Sequence, residues 1–267
     1  MLRDITLGQY FPGDTMIHRL DPRTKLIGIM LYLIALFVAN SPLTLGIVAL
    51  FLLLMMGISR VNIRQMLRGL RPLALLLTLT GLLNMFLTPG EPIVSVWRLS
   101  ITWEGLYRSI ILIVRIVMMV MSTFILTYTT KPMALTDGLE KLMNPLRRIR
   151  VPVHELAMIM STALRFIPTL IEETDKVINV QKARGADFET GNLLRRVRAL
   201  LPIFVPLFMS AFRRADELAI AMESRCYHGG EGRTRMRQLQ FERRDILTDL
   251  VLVLLLGTVI SLVVIDL

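Results

Sequence analysis

Residues 26–39 and 43–58 carry no charge, and only Asn40, Ser41 and Pro42 part them. Two apolar runs joined by so short a polar turn predict a helical hairpin across a bilayer. A third uncharged stretch occupies residues 72–89. A fourth, 106–130, is broken only by Arg108 and Arg115, and a fifth covers 250–265. Several fall short of the roughly 20 residues that cross the hydrocarbon, so each span draws on its flanks.

Between the fourth and fifth runs the pattern changes. From Val153 the apolar positions Leu156, Met160, Ala163, Ile167, Leu170 and Ile171 recur at steps of three and four, with Glu155, Arg165, Glu172 and Lys176 elsewhere on the wheel. That is an amphipathic helix, with a bend expected at Pro168. A second stripe runs through Leu194, Val197, Leu201, Phe204, Phe208, Ala211, Ala215, Leu218 and Met222, with Pro202 and Pro206 near its middle. Its uncharged part, 199–212, is too short for a span and predicts a helix lying in or against the membrane interface. A shorter helix is predicted over 132–146, opened by Pro132 and interrupted by Pro145.

Charge orients these elements. Arg60, Arg64, Arg68 and Arg71 come without an acid between them, whereas the turn at 40–42 is uncharged and 88–105 holds only Glu91, Arg98 and Glu104. The positive-inside rule then places 57–72 in the cytoplasm and the other two turns outside. The N-terminus is cytoplasmic in this reading, as is region 131–244 with its 20 basic and 13 acidic residues; the C-terminus is external. The prediction is an all-α polytopic membrane protein with about five transmembrane helices and a cytoplasmic module of two or three amphipathic helices. Its parts are a cytoplasmic segment 1–25, four spans in 26–130, the module in 131–243 and a fifth span in 244–267.

Composition narrows the function. With 54% hydrophobic residues in 267, a net charge of +10 and a mean hydropathy of +0.58, disorder and an ordinary soluble domain are both excluded. The excess charge flanks membrane segments and is not interleaved with aromatics as base-stacking surfaces require, so the partner is the lipid bilayer and not nucleic acid. Residues 1–25 lack the apolar run of a cleaved signal. Cys226 is the sole cysteine and the three histidines are scattered, which removes a disulfide framework and a zinc site. No Walker A, G-x-S-x-G or H-E-x-x-H sequence occurs. Glu172 with Glu173, and Asp216 with Glu217, are adjacent on helices and read as solvated faces, not as an acid/base dyad. The spans show no repeated half and, apart from Arg115, no intramembrane ionisable group, which disfavours a self-sufficient carrier or channel. Composition leaves a non-transport membrane scaffold open.

Three segments carry more than periodicity. The first is Gly8-Gln9-Tyr10-Phe11-Pro12-Gly13-Asp14-Thr15, continuing to His18-Arg19-Leu20-Asp21-Pro22-Arg23-Thr24-Lys25-Leu26. Pro12-Gly13-Asp14 reads as a turn, Asp21-Pro22 as an N-cap followed by a first-turn proline, and Arg23 and Lys25 as headgroup anchors of the first span. The second is Ala183-Arg184-Gly185 at the end of the first long amphipathic helix. The third, Glu223-Ser224-Arg225-Cys226-Tyr227-His228-Gly229-Gly230, closes the next and runs on through Glu231-Gly232-Arg233.

Taken together these segments, over nearly the whole chain, resemble the transmembrane T component of energy-coupling factor transporters, the EcfT/CbiQ family of prokaryotic ABC importers. The resemblance implies a non-catalytic subunit of the cell membrane that joins two P-loop ATPase subunits to one or more membrane S components, which capture vitamins or other micronutrients. It implies no cofactor on this chain, with ATP and Mg held by the partner ATPases. It also implies ATPase-coupling roles for Ala183, Arg184 and Gly185 and for Ser224, Arg225 and Cys226, the family's two motif arginines matching Arg184 and Arg225. The second motif departs from Ala-Arg-Gly. A β-carbon at Cys226 disfavours the left-handed conformation that Gly185 accepts, so the second helix is expected to end later, near Gly229 and Gly230, and the arginines to be inequivalent. Guanidinium suits such a contact because it stays charged, binds carboxylates bidentately and is favoured at a helix C-terminus.

Other residues have two readings each. Arg115 either faces protein or water inside the fourth span, or snorkels outward with Arg108. The 17 methionines, Met118, Met119, Met121, Met158 and Met160 among them, offer either adaptable partner surface or core packing. Arg60, Arg64 and Arg68 form one helix face toward anionic lipid or toward an ATPase. His18, His154 and His228 stay unassigned.

Overall fold

The structure, a computed structural model, describes residues 10–89, 92–96, 99–186, 193–229 and 239–265. Gly8 and Gln9 of the first motif, Glu91 and Arg98 of the predicted outer turn, and Gly230 through Arg233 lie outside the described residues, as do the side chains of Leu194 and Val197. The chain divides into two compact units, one formed by 8–141 with 239–267 and the other centred on 142–238.

The first unit is a helical bundle of α1 (Pro22–Val38), α2 (Pro42–Ser59), α3 (Ile63–Leu87), α4 (Trp103–Thr129), α5 (Pro132–Met143) and α8 (Arg243–Ile265). The predicted helical class holds. The α3–α4 connection adds a short antiparallel hairpin, β1 (Pro92–Val96) with β2 (Leu99–Thr102), whose register shifts between Pro92 and Val94. Four helices, α2, α3, α4 and α8, are long and apolar enough to cross a membrane. The first expected span is a shorter helix: α1 has 17 residues.

The bundle is built on α1 and α4, with Tyr32, Ala35, Leu36 and Ala39 buried against Val48 and Leu52 of α2, Met118, Met121 and Tyr128 of α4, and Leu252 and Val259 of α8. Met66, Met118 and Met121 therefore pack the core, and for these three the packing reading of methionine is the right one. Small residues set how closely the helices approach. A β-carbon at Gly28 would lie 2.8 Å from Leu252 Cδ1, and one at Gly81 would lie 2.7 Å from Ile113 Cδ1. Ser109 Oγ donates to the Gly81 carbonyl at 2.9 Å across the same α3–α4 contact.

The start of α1 follows from the sequence in part. Asp21 is its N-cap, accepting from the Arg23 amide at 2.9 Å, with Pro22 in the first turn. The turn, however, lies over residues 16–19 and not at Pro12-Gly13-Asp14. Gly13 is needed for close approach, since a β-carbon there would stand 2.9 Å from the His18 ring. His18 Nδ1 lies 2.7 Å from Thr15 Oγ1, and its Nε2 donates to the Phe11 carbonyl at 3.1 Å. Burial pushes its pKa down.

Lys25 is no headgroup anchor. It is buried, and its Nζ donates to the Thr129 carbonyl at 2.9 Å, Thr130 Oγ1 at 3.1 Å and the His18 carbonyl at 3.4 Å, closing the C-terminal end of α4. Arg23 lies over the Phe241 ring, 5.4 Å from its centroid, instead of reaching for lipid. Asp245, in the first turn of α8, accepts from the Asp21 amide and the Glu242 amide, each at 2.8 Å. One end of the bundle, where α1 and α8 begin and α4 finishes, is thus tied by buried polar groups.

Arg115 resolves toward protein. Its guanidinium donates to the Ala39 carbonyl just past the end of α1, where a cation is favoured by the helix dipole. From Lys25 to Ala39 on α1, and from Thr129 back to Arg115 on α4, is 14 residues in each case, about 21 Å of helix. The arginine therefore closes a helix that ends short of the full hydrocarbon thickness of about 30 Å.

The basic stretch differs from expectation. α3 begins at Ile63, nine residues before Pro72, which the helix absorbs internally. Arg60 is instead the left-handed C-cap of α2, with φ 52°, so it does not share a helix face with Arg64 and Arg68. All three are exposed.

The second unit contains a 3-10 turn (Asn144–Ile149), α6 (Val153–Ala183) and α7 (Leu193–Glu223), the last two 31 residues each. Both long amphipathic helices are present, with Pro168 inside α6 and Pro202 and Pro206 inside α7.

Candidate functional site

Arg184 and Arg225 occupy the same structural position on α6 and α7. On α6 the Gly185 amide donates to the Lys182 carbonyl and the Ala186 amide reaches back to the Gln181 carbonyl, both at 3.0 Å. On α7 the Cys226 amide donates to Glu223 at 2.9 Å and the Tyr227 amide to Met222 at 3.0 Å. These paired bonds are the Schellman closure, in which a left-handed residue follows the C-cap. Gly185 has φ 85° and Cys226 has φ 55°. The expectation that α7 would run on to Gly229 is therefore corrected. The helix ends at Glu223, Cys226 takes the left-handed conformation in spite of its β-carbon, and the two arginines are local equivalents. The closure gains two carbonyl partners, which outweigh the roughly 1–2 kcal/mol cost of the left-handed cysteine.

This yields a paired prediction. Cys226→Gly should stabilise the end of α7 by about 1 kcal/mol, and Gly185→Ala should weaken that of α6 by a similar amount. Hydrogen exchange reads both, with stronger protection of the Tyr227 amide in the first variant and weaker protection of the Ala186 amide in the second. Unchanged exchange in both would show that the closures are not limited by that backbone strain.

The motif residues Ala183, Arg184 and Gly185, and Ser224, Arg225 and Cys226, are all exposed. Neither arginine makes an ion pair among the described residues. The structure does not bring the two together. Gln181 Nε2 donates to the Pro202 carbonyl at 3.4 Å, while Glu173 meets Ser210 and Arg214. Residue numbers thus rise on α6 as they fall on α7, so the helices run antiparallel through this contact and carry their arginines toward opposite ends.

The face that α7 turns to α6 is distinct from the apolar stripe, which the sequence assigned to the membrane interface. Ile203 is buried and Leu207, Ser210 and Arg214 are half-buried, whereas Leu201, Phe204, Phe208, Ala211, Ala215 and Leu218 are exposed. Phe204, Val205, Phe208, Met209 and Phe212 form a continuous apolar surface, with Phe208 and Phe212 centroids 5.6 Å apart. Three phenylalanines exposed along one helix face mark an interaction surface.

Sequence reading missed the contact that joins the helices. Glu173, taken as a solvated residue, accepts from Ser210 Oγ at 2.5 Å on one oxygen and from the Arg214 guanidinium at 2.8 Å on the other. The available signal was the spacing of Ser210 and Arg214, four residues apart on one helix face. Among the described residues no cluster of His, Cys, Asp and Glu could hold a metal ion.

Comparison with known proteins agrees with this architecture. Residues 13–236 match the CbiQ family model, described as cobalt transport protein. The chain is 51% identical over 245 residues to the energy-coupling factor transporter transmembrane protein EcfT of Thermosediminibacter oceani, covering 92% of each chain. It is 48% identical over 255 residues to that of Acidaminococcus fermentans, covering 96% of this chain and 95% of the relative. With EcfT of Lactococcus lactis subsp. cremoris the identity is 44% over 247 residues, 92% of this chain and 93% of the other. Four helices long and apolar enough to cross a membrane, two long amphipathic helices and a match over most of its length place this chain in the CbiQ/EcfT family of energy-coupling factor transporter transmembrane proteins.

Proposed function

We propose that this chain is the coupling subunit of an ATP-driven importer, with α6 and α7 passing motion from two cytoplasmic P-loop ATPases to a membrane S component that captures a vitamin or other micronutrient. The observation that carries the reading is the pair of exposed arginines, each the C-cap of a Schellman-closed helix and each directed to a different end of an antiparallel pair. Two like sites suit two homologous ATPases. Each guanidinium docks in an acidic groove, and ATP and Mg remain with those partners. The chain itself hydrolyses nothing. The unpartnered aromatic surface of α7 receives the S component, which moves when the helices move.

The topology that fits places the N-terminus, the basic residues at 60–71 and the α6–α7 segment in the cytoplasm, and the end of α8 outside. This requires α1 to cross with help from the residues that flank it. Purification of the tagged chain from its native membranes, followed by mass spectrometry, tests the assembly. Two P-loop ATPases and at least one small membrane protein are expected. A folded, inserted chain that is reproducibly solitary would favour an independent scaffold and overturn the proposal.

A further inference from the structure

We propose that Glu173 and Arg214 form the pivot of the α6–α7 pair, positioning residues that hold the two motif arginines in one fixed geometry so that motion entering at one helix end is delivered through the crossing. The inference rests on the coupling role proposed above for Arg184 and Arg225.

The placement is symmetrical. Glu173 lies 11 residues before Arg184, and Arg214 lies 11 residues before Arg225. Each arginine is therefore about 16 Å of helix from the ion pair, on arms that point in opposite directions. Aligning the two helices by their equivalent caps superposes position 173 on position 214. A contact between equivalent positions of two like helices lies where their local two-fold axis passes, and that is the point that moves least when both arms swing.

The chemistry suits a joint that resists sliding. Both Glu173 oxygens are engaged from α7, by Ser210 Oγ and by the Arg214 guanidinium, so the carboxylate is fixed along the helix axis as well as across it. The side chains are 27% and 31% exposed. Such a pair is less screened than a surface pair, yet it is not so buried that desolvation cancels the attraction. A second tie sits nearer Arg184. Pro206 has no amide to donate to the carbonyl four residues earlier, and Gln181 Nε2 supplies the donor to that Pro202 oxygen. Among the described residues of α7 these polar ties share the inner face with buried Ile203 and half-buried Leu207, while the outer face is exposed.

The test uses the complete transporter reconstituted in lipid, scored for uptake, ATPase activity and distance. Glu173→Gln and Arg214→Gln are each expected to lower uptake roughly five- to ten-fold while subunit assembly and ATP hydrolysis persist. The reversed pair, Glu173→Arg with Arg214→Glu, should recover uptake to within about two-fold of the parent, the signature of a specific pairwise coupling. Spin labels at Val180→Cys and Ala221→Cys, exposed and at equivalent positions, are placed in a Cys226→Ser background. They should show a narrow distance distribution that broadens in Glu173→Gln and narrows again in the reversed pair.

Uptake within two-fold of the parent in both single variants, loss of the assembled complex, or a reversed pair no better than either single variant would each overturn the pivot. Failure of the coupling reading is separate: Arg184→Ala with Arg225→Ala would then leave uptake normal, whatever the labels at 180 and 221 report.

Discussion

Replacing Arg184 and Arg225 together by alanine should abolish uptake while the chain still inserts and folds. Both side chains are exposed and neither makes an ion pair among the described residues, so among those residues their removal leaves no uncompensated charge. The cost falls on the interface. Truncating one partner of a hydrogen-bonded charge pair in a protein interface typically costs 2–5 kcal/mol, and each 1.4 kcal/mol is about a factor of ten in affinity. One lost arginine thus weakens its ATPase contact by roughly 30-fold or more, while the other contact keeps the complex partly assembled through high local concentration. Losing both removes that compensation, so the single variants should be impaired and the double variant inactive. Lysine at either position should recover part of the function, since it keeps the charge but not the planar bidentate fork. The checks are uptake in membranes of equal expression and recovery of the ATPases with the tagged chain. Normal uptake with a normal complex in the double variant would reduce both arginines to solvated helix ends.

What the sequence made legible was whatever depends on local pattern. α6 starts at Val153, where the periodic pattern began, and α7 at Leu193, one residue before the first position of its stripe, Leu194, because an amphipathic repeat over 31 residues is a strong signal. The Asp21-Pro22 cap was equally local. Charge was read less well, because its meaning depends on tertiary neighbours. Lys25 looked like an interfacial anchor, yet the end of α4, more than a hundred residues later, supplies the carbonyl that buries it. Arg115 had two readings until Ala39 fixed one. Arg60 fits a four-residue helical spacing with Arg64 and Arg68, but a left-handed cap at that residue breaks the helix between them. On α7 the apolar stripe, expected to lie in or against the membrane interface, is exposed, and a different face, with Ser210 and Arg214, meets α6. A hydrophobic stripe says that something is to be covered, and it does not say by which partner. The rule that a β-carbon excludes the left-handed region also gave way at Cys226, where two helix-closing hydrogen bonds outweigh a modest strain.

The buried polar end of the bundle should be the most sensitive point for stability. Asp245 is 2% exposed and satisfies two backbone amides on different segments, those of Asp21 and Glu242. Asp21 is itself buried, and both carboxylates lie close enough to Lys25 to attract its ammonium. Asp245→Ala would leave two amides without an acceptor and remove one of the negative charges balancing a buried cation. Breaking a buried pair from one side costs about 3–5 kcal/mol. Asp245→Asn keeps one acceptor and should cost less, about 1–3 kcal/mol, the usual penalty for a single buried group left unsatisfied. Thermal unfolding of the purified protein in detergent reads the order: parent, then Asn, then Ala, with the alanine variant also depleted from the membrane. Coupling to the cation is tested by Lys25→Met combined with Asp245→Leu. If the network is held by mutual compensation, the double variant loses less than the sum of the two single losses, because neither charge remains to be stranded. Strict additivity would assign the effect of Asp245 to its two amide contacts alone, and a fully stable Asp245→Ala would show that this end of the bundle is held by apolar packing instead.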